Sequence, residues 1–221
     1  MRLLFVLIVI SYQCIAVSSP LFTTDSETEP PNKVAPPKGL IEFILKGEDA
    51  NDNRLLAECL EEKGFTKKQA SIFFSIYKID LNSDGLPDYF VRPALKPYCF
   101  AFYGAHLFRY WLVTAQMKNG QHIYYVAFKN GGDGVSILPT KTNGYRDLLV
   151  VGYNAVEEHQ VTLAFDGNEY QTKSCVKNMF SEEGVKTGPC ESAPNPAVNW
   201  TAEQQTSSPQ AWQRRGQLPS R

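Results

Sequence analysis

The feature that most limits how this chain can fold is a long succession of short apolar runs, separated by turn residues, that begins near Phe73. Segments 73–81, 88–92, 99–102, 107–117, 122–128, 134–139, 147–153, 160–165 and 169–176 have the length and composition of strands. Asn119 and Gly120 stand between two of these runs, and the tight hairpin turn such a pair favours needs positive φ at both positions. Asp166 with Gly167 marks a second turn of this kind, and Asn143 with Gly144 another turn. Consecutive strands joined this way build an antiparallel meander.

Ahead of the strands the pattern is helical. GLIEFILKG is a short apolar segment, and NDNRLLAECLEEKGF places Leu55, Leu56, Cys59 and Leu60 on one face, with Gly64 where a helix would stop. The hydroxyl of Thr66 can cap a further turn over TKKQA. The expected fold is therefore α+β, with N-terminal helices packed on an antiparallel β-meander. In IYYVAF, Ile123, Tyr125 and Ala127 point one way and Tyr124, Val126 and Phe128 the other, and LFRYWLV is likewise apolar on both faces. One face takes the helices. The other needs a cover, which can be a curled sheet, loops or a partner; the last option makes Tyr110 and Tyr124 candidate contact residues.

The ends differ from this middle. MRLLFVLIVISYQCIAVSS has one arginine, an apolar run from Leu3 to Ile10 and small residues at Ala16 and Ser18, the pattern of a signal peptide over residues 1–18. Its apolar run is short for a bilayer core of roughly 30 Å, so no membrane span is expected after its removal. Residues 19–37 are rich in proline, threonine and acid and read as a disordered leader. Residues 191–221 read as a disordered tail, with a glycosylation sequon at Asn199 that matters only in a eukaryotic host. A single α+β domain over residues 38–190 is left between them. With 20% charged residues and a formal net charge of −1, the chain offers no electrostatic case for nucleic acid.

Loss of the signal removes Cys14 and leaves Cys59, Cys99, Cys175 and Cys190, an even set that suits two disulfides in an exported protein. Three connectivities are possible; Cys175 with Cys190 would clip a local loop and leave Cys59 for Cys99. None of the four has the CxxC spacing of a zinc ribbon or a thioredoxin-type site. Localisation in the periplasm or outside the cell follows from the signal and the cysteines together.

The stretch DLNSDGLPD carries the clearest chemical signal. Asp80, Asn82, Asp84 and Asp88 occupy positions 1, 3, 5 and 9, Leu86 can offer its carbonyl at position 7, and Gly85 permits a sharp turn. Calcium wants six to eight such oxygens, which makes it the expected cofactor in a structural role; the alternative is a metal-free turn in which Asp and Asn cap their own backbone. Position 12 is Val91, within a strand, where an EF-hand would have glutamate. The loop thus resembles the strand-loop-strand calcium loops of FG-GAP and integrin-type repeats, although a propeller would need several copies and only one is present.

A wider resemblance rests on this loop, GAHLFRYWLV, TKTNGYRDLLV and FDGNEY. Together they are similar to a set of bacterial secreted proteins of unassigned function, which implies export but supplies no activity. In the NGYRDL segment Tyr145, Arg146 and Asp147 are candidate partner-binding residues, the planar guanidinium of Arg146 being suited to a carboxylate or phosphate, or to an acid of its own sheet. Other chemistry has little support: there is no GxSxG elbow, and His106, His122 and His159 lack metal-ligand spacing. The resulting expectation is an exported, non-enzymatic binding protein of the bacterial envelope with a protein partner. The alternatives are an inhibitor or immunity protein against a cell-wall hydrolase, and a hydrolase with dispersed carboxylates.

Overall fold

The computed structural model describes residues 19–104 and 107–191. The signal segment and nearly all of the tail lie outside the described residues. Among the described residues, ten strands form two antiparallel sheets. Strands β2 (Phe74–Ile79), β3 (Asp88–Pro93), β4 (Phe108–Lys118) and β5 (Gln121–Gly132) make a four-stranded meander. Strands β6 (Gly134–Thr142), β7 (Tyr145–Tyr153), β8 (Glu157–Phe165), β9 (Tyr170–Ser181) and β10 (Gly184–Pro189) continue it as a second sheet, with β1 (Phe22–Asp25) added beside β6.

The helical prefix forms α1 (Leu40–Lys46) and α2 (Ala50–Glu62). Asp49 caps α2 by accepting from the Asp52 amide at 2.8 Å. At its far end Gly64, at φ 71°, lets the Phe65 amide turn back to the Leu60 carbonyl, the Schellman closure for which glycine is favoured. Gln69 closes the next turn by accepting from the Thr66 amide. One buried cluster joins Leu40, Ile44, Leu56 and Leu60 with Ile76, Val91 and Trp111 of the four-stranded sheet. The disulfide Cys59–Cys99 lies in this cluster and ties α2 to the 3₁₀ turn Phe100–Phe102. That turn replaces the strand expected at 99–102.

The opposite face of the same sheet is covered by the second sheet. Tyr77, Phe90, Phe108, Tyr110 and Leu112 are buried together with Ile137, Leu148, Leu163 and Tyr170. The chain crosses from one sheet to the other at Gly132, where a Cβ would meet the Val151 carbonyl at 3.0 Å and a Val150 methyl at 3.2 Å. Only glycine fits that corner without displacing backbone. Tyr110 is therefore a core residue and not a contact surface, because the second sheet seals it completely.

Both expected Asn-Gly turns have positive φ at both residues, Asn119 with Gly120 and Asn143 with Gly144. Asp166 and Gly167 instead open a longer turn, in which Asp166 Oδ1 accepts from the amides of Asn168 and Glu169. A bulge opposite Leu112 and Val113 makes Phe128 pair with Leu112 while Val126 pairs with Val113. Phe128 thus joins the inter-sheet core, and Tyr124 packs against the cluster on the helical side, which corrects the strict alternation read from IYYVAF.

The leader is the larger correction. Residues 22–25 are strand β1, paired with β6 from Phe22 opposite Ile137 to Asp25 opposite Gly134. What orders this segment is Arg92, a fully buried cation on β3. Its Nη1 donates to Thr24 Oγ1 at 2.6 Å and to the carbonyls of Asp25 and Thr28, its Nε donates to the Pro93 carbonyl at 3.1 Å, and its guanidinium lies 4.3 Å from the centre of the Phe108 ring. Glu29 anchors the segment further by accepting from Ser75 Oγ and the Leu95 amide, both at 2.7 Å. Burial of a cation is tolerated only with such complete satisfaction. Replacing Arg92 with alanine is expected to cost roughly 3 kcal/mol or more, because four acceptors lose a donor. Urea unfolding measures this, and a loss below about 1 kcal/mol would contradict the keystone role.

Candidate functional site

The acidic loop, residues 80–88, joins β2 to β3 and folds on itself. Ser83 and Gly85 take left-handed backbone, at φ 61° and 83°. Asp80 Oδ1 accepts from the Ser83 amide at 2.6 Å, Asn82 Oδ1 from the Asp84 amide at 3.1 Å, and Asp84 Oδ1 from the Leu86 amide at 2.7 Å. These are the self-capping bonds that Asp and Asn supply in tight turns. Asp88 behaves differently. It is fully buried and accepts from the amides of Leu81 at 2.8 Å and Ala115 at 3.4 Å, so it links the loop to β4. Burial, reinforced by the charges of Asp84 and Asp80, pushes its carboxyl up to about 6 against the pull of those two donors.

The loop meets the NGYRDL hairpin. The Arg146 amide donates to the Leu81 carbonyl at 2.8 Å, and its Nη1 donates to the Pro139 carbonyl at 2.9 Å while Nε reaches the Asp80 carbonyl at 3.4 Å. Lys141, from the same hairpin, donates to Ser83 Oγ. Tyr145 stacks on Phe165 with ring centres 4.1 Å apart, Asn143 donates to the Phe165 carbonyl, and Tyr170 donates to the Arg146 carbonyl. Asp147 is buried, and its Oδ2 accepts from Thr140 at 2.9 Å and Lys173 at 3.0 Å. Burial opposes its charge, but the Lys173 ammonium and the hydroxyls of Thr142 and Thr140 hold its carboxyl below the usual range.

Each residue of NGYRD thus braces the hairpin or the acidic loop. Asp147 is removed from the partner-binding set by its burial, and Arg146 directs Nη1 and Nε to carbonyls of its own chain. As a calcium site the loop has suitable donor types, and although burial is the main cause of the raised proton affinity of Asp88, the charges of Asp84 and Asp80 add to it in a way that a cation would offset. Among the described residues, however, the carboxylate oxygens of Asp80, Asp84 and Asp88 do not converge into one coordination sphere, since the first two turn into backbone caps and Asp88 into the sheet. Loading would need the side chains of Asp80, Asn82 and Asp84 to give up those caps.

Two further features carry no local sequence signature. The first is a buried charge network between the α1–α2 junction and β4–β5. Glu48 accepts from Arg109 at 2.8 Å, from the Trp111 indole at 2.9 Å and from Lys129 at 2.9 Å, and Arg109 also contacts Asp52. Burial pushes the carboxyl of Asp52 up against the pull of Arg109. Two acids do meet here, but both are sealed and engaged, an arrangement that locks the helical corner to the sheet. The second is the outer edge of β5, the last strand of its sheet. Its residues from Gln121 to Phe128 carry no acid, lysine, arginine or proline, the usual protections of an edge, and Tyr125 and Val126 are 46% and 42% exposed. Tyr124 sits half-buried between Phe43 and Tyr89, ring centres 6.1 and 6.3 Å away.

The chemistry of Asp88 sets a pH dependence. Its carboxyl ordinarily titrates at 3.8 and in the fold at about 6, so the stabilising proton is held below the unfolded value and lost as pH rises through the folded one. In calcium-free solution, stability is expected to rise by roughly 1 kcal/mol as pH falls from about 7 to about 5. Below about 4 it should decline, as Asp25, Glu29 and Asp147, all held low in the fold, become protonated. Urea midpoints across that range test this, and a steady decline from neutral pH downwards would refute it. Compared with known proteins, the chain matches no family model, no curated protein and no solved structure.

Proposed function

We propose that this chain is an exported, non-enzymatic binding protein of the bacterial envelope or extracellular space, its N-terminal helices packed on the meander, which takes a protein partner along the outer edge of β5. The observation that carries this reading is the edge itself. A strand twelve residues long ends its sheet with an uncharged, aromatic stretch, and main-chain donors and acceptors there are available to an added strand. Tyr125 and Val126 would supply the side-chain contacts, with Tyr124 anchored behind them.

Export is supported by the N-terminal signal pattern, by the resemblance to secreted bacterial proteins, and by two disulfides, Cys59–Cys99 and Cys175–Cys190. Among the described residues no helix is long and apolar enough to cross a membrane. Calcium, in this reading, binds the 80–88 loop as a brace, drawing on Asp80, Asn82, Asp84, Asp88 and the Leu86 carbonyl. It would relieve the charge crowding at Asp88 and stiffen the junction with the NGYRDL hairpin. A hydrolase is disfavoured because Asp52 and Asp88, the carboxylates with raised proton affinity, are both shut away from solvent. Inhibition of a cell-wall hydrolase is a special case of the binding reading and would be recognised by the identity of the partner.

Two measurements test this. Immobilised residues 19–221 are expected to retain a partner from envelope extract that the Val126→Lys variant holds at least about tenfold more weakly, since a charge on an open edge opposes strand addition. Equal retention by the variant would remove β5 as the contact. For the metal, calcium at about 100 times its dissociation constant should raise unfolding free energy by roughly 2.7 kcal/mol. An Asp84→Asn protein should lose most of that gain, and no shift in the unmodified protein would reject the brace.

A further inference from the structure

Beyond the core, the ladder of β8, β9 and β10 carries a cluster of three metal-ligating groups. Cys175 lies in β9 opposite Val161, His159 lies in β8 opposite Lys177, and Cys190 follows the end of β10, its amide donating to the Cys175 carbonyl at 3.3 Å. Ligand atoms of His159, Cys175 and Cys190 all fall within 4.8 Å of one another, and Cys190 Sγ is 3.9 Å from His159 Nδ1. On its far side the imidazole is held by Glu157, with Nε2 3.2 Å from Oε1, and the same carboxylate faces Lys177 at 3.8 Å. The two sulfurs are joined in the disulfide Cys175–Cys190.

We propose that reduction of this disulfide converts the clip into a Cys2His site for a soft divalent cation, zinc above all. Tetrahedral zinc takes thiolate at about 2.3 Å and imidazole at about 2.0 Å, which requires sulfur and nitrogen roughly 3.5 Å apart, close to the separation already present. The outward nitrogen of His159 donating to Glu157 is the carboxylate–histidine–zinc arrangement that fixes the ring and strengthens the ligand. The β8–β9 ladder holds His159 and Cys175, and the Cys190 amide, just beyond the β9–β10 ladder, is bonded to the Cys175 carbonyl, so opening the sulfur bridge leaves the ligands in place. The fourth position is left for water or an external ligand.

The conversion balances. A small dithiol supplies two electrons and two protons, the bond between Cys175 and Cys190 breaks to give two thiols, and the dithiol departs as its own disulfide. The cation then displaces both thiol protons, and the two thiolates neutralise its charge. Selectivity comes from burial: Cys59 and Cys99 are sealed in the helical-side core, whereas Cys175 and Cys190 are half-exposed and open to a soluble reductant.

The test is a cobalt titration of the full mature chain after mild dithiol treatment and removal of excess reductant, read by thiolate-to-cobalt charge-transfer absorption with circular dichroism recorded alongside. One equivalent of cobalt should produce the band in the reduced protein, zinc should bleach it, and the oxidised protein should show none. His159→Ala should weaken binding by well over tenfold and Glu157→Gln by about tenfold, while Cys175→Ser with Cys190→Ser should abolish the band and leave the buried disulfide intact. An unchanged cobalt affinity in His159→Ala, or any band that survives the double cysteine change, would overturn the proposal. So would loss of the strand signal on reduction, since the site requires the ladders to stand without the sulfur bridge.

Discussion

The four-stranded sheet is apolar on both faces, and everything else in the fold answers that constraint. Trp111 and Val113 alternate with Phe108, Tyr110 and Leu112 along one strand, and no single layer can cover both sets. A meander that ended at β5 would leave several large aromatic residues against water. The chain instead turns at Gly132 and lays its second half over the first, so that the later strands act as the cover for the earlier ones. Burial of large side chains on two sides of one sheet is a substantial stabilising term for a chain of this size, and it makes the middle sheet the least deformable part of the molecule.

Against that rigid middle, the two most distinctive sequence motifs turn out to be halves of one junction. The acidic loop leaves the middle sheet and the NGYRDL hairpin leaves the second, and Arg146 fastens them through main-chain acceptors on both sides. Any cation that bound the loop would therefore act on the seam between sheets, not on a free surface. The exposed aromatic edge of β5 lies in the same sheet as Asp88, whose second oxygen reaches the Ala115 amide of the neighbouring strand. A change at the loop has a short covalent and hydrogen-bonded route to that edge, through β4.

Much of this architecture was readable before the structure. Alternation, the two Asn-Gly turns and the position of Gly64 are local signals, set by backbone geometry within a few residues, and most of the corresponding elements form where they indicate, the segment 99–102 excepted, which is a 3₁₀ turn. Contacts distant in sequence were not readable. Strand β1 is four residues long, has two threonines and follows a proline, and nothing in FTTD announces a partner at Ile137. The Glu48–Asp52–Arg109 network draws its acids and its arginine from positions some sixty apart, partners that only folding brings together. His159 has no ligand spacing in the sequence, yet strand pairing brings it beside Cys175 and Cys190. The bulge opposite Val113 likewise reversed one aromatic residue that strict period-two counting had placed on the wrong face.

Arg92 also carries a consequence for the order of assembly. Its main acceptors lie in residues 24–28, and the strand they belong to pairs with residues more than a hundred positions later, Thr23 bonding Ser136 across 113 residues. A chain synthesised from its N-terminus presents this segment first, yet the segment has nothing to dock on until both β3 and β6 exist. Closing so long a loop carries an entropic cost that only a finished surface offsets. Until then the guanidinium stays hydrated and the sandwich stays open along that border. Residues 22–29 are in this sense a latch, set last, and they register that both sheets are complete.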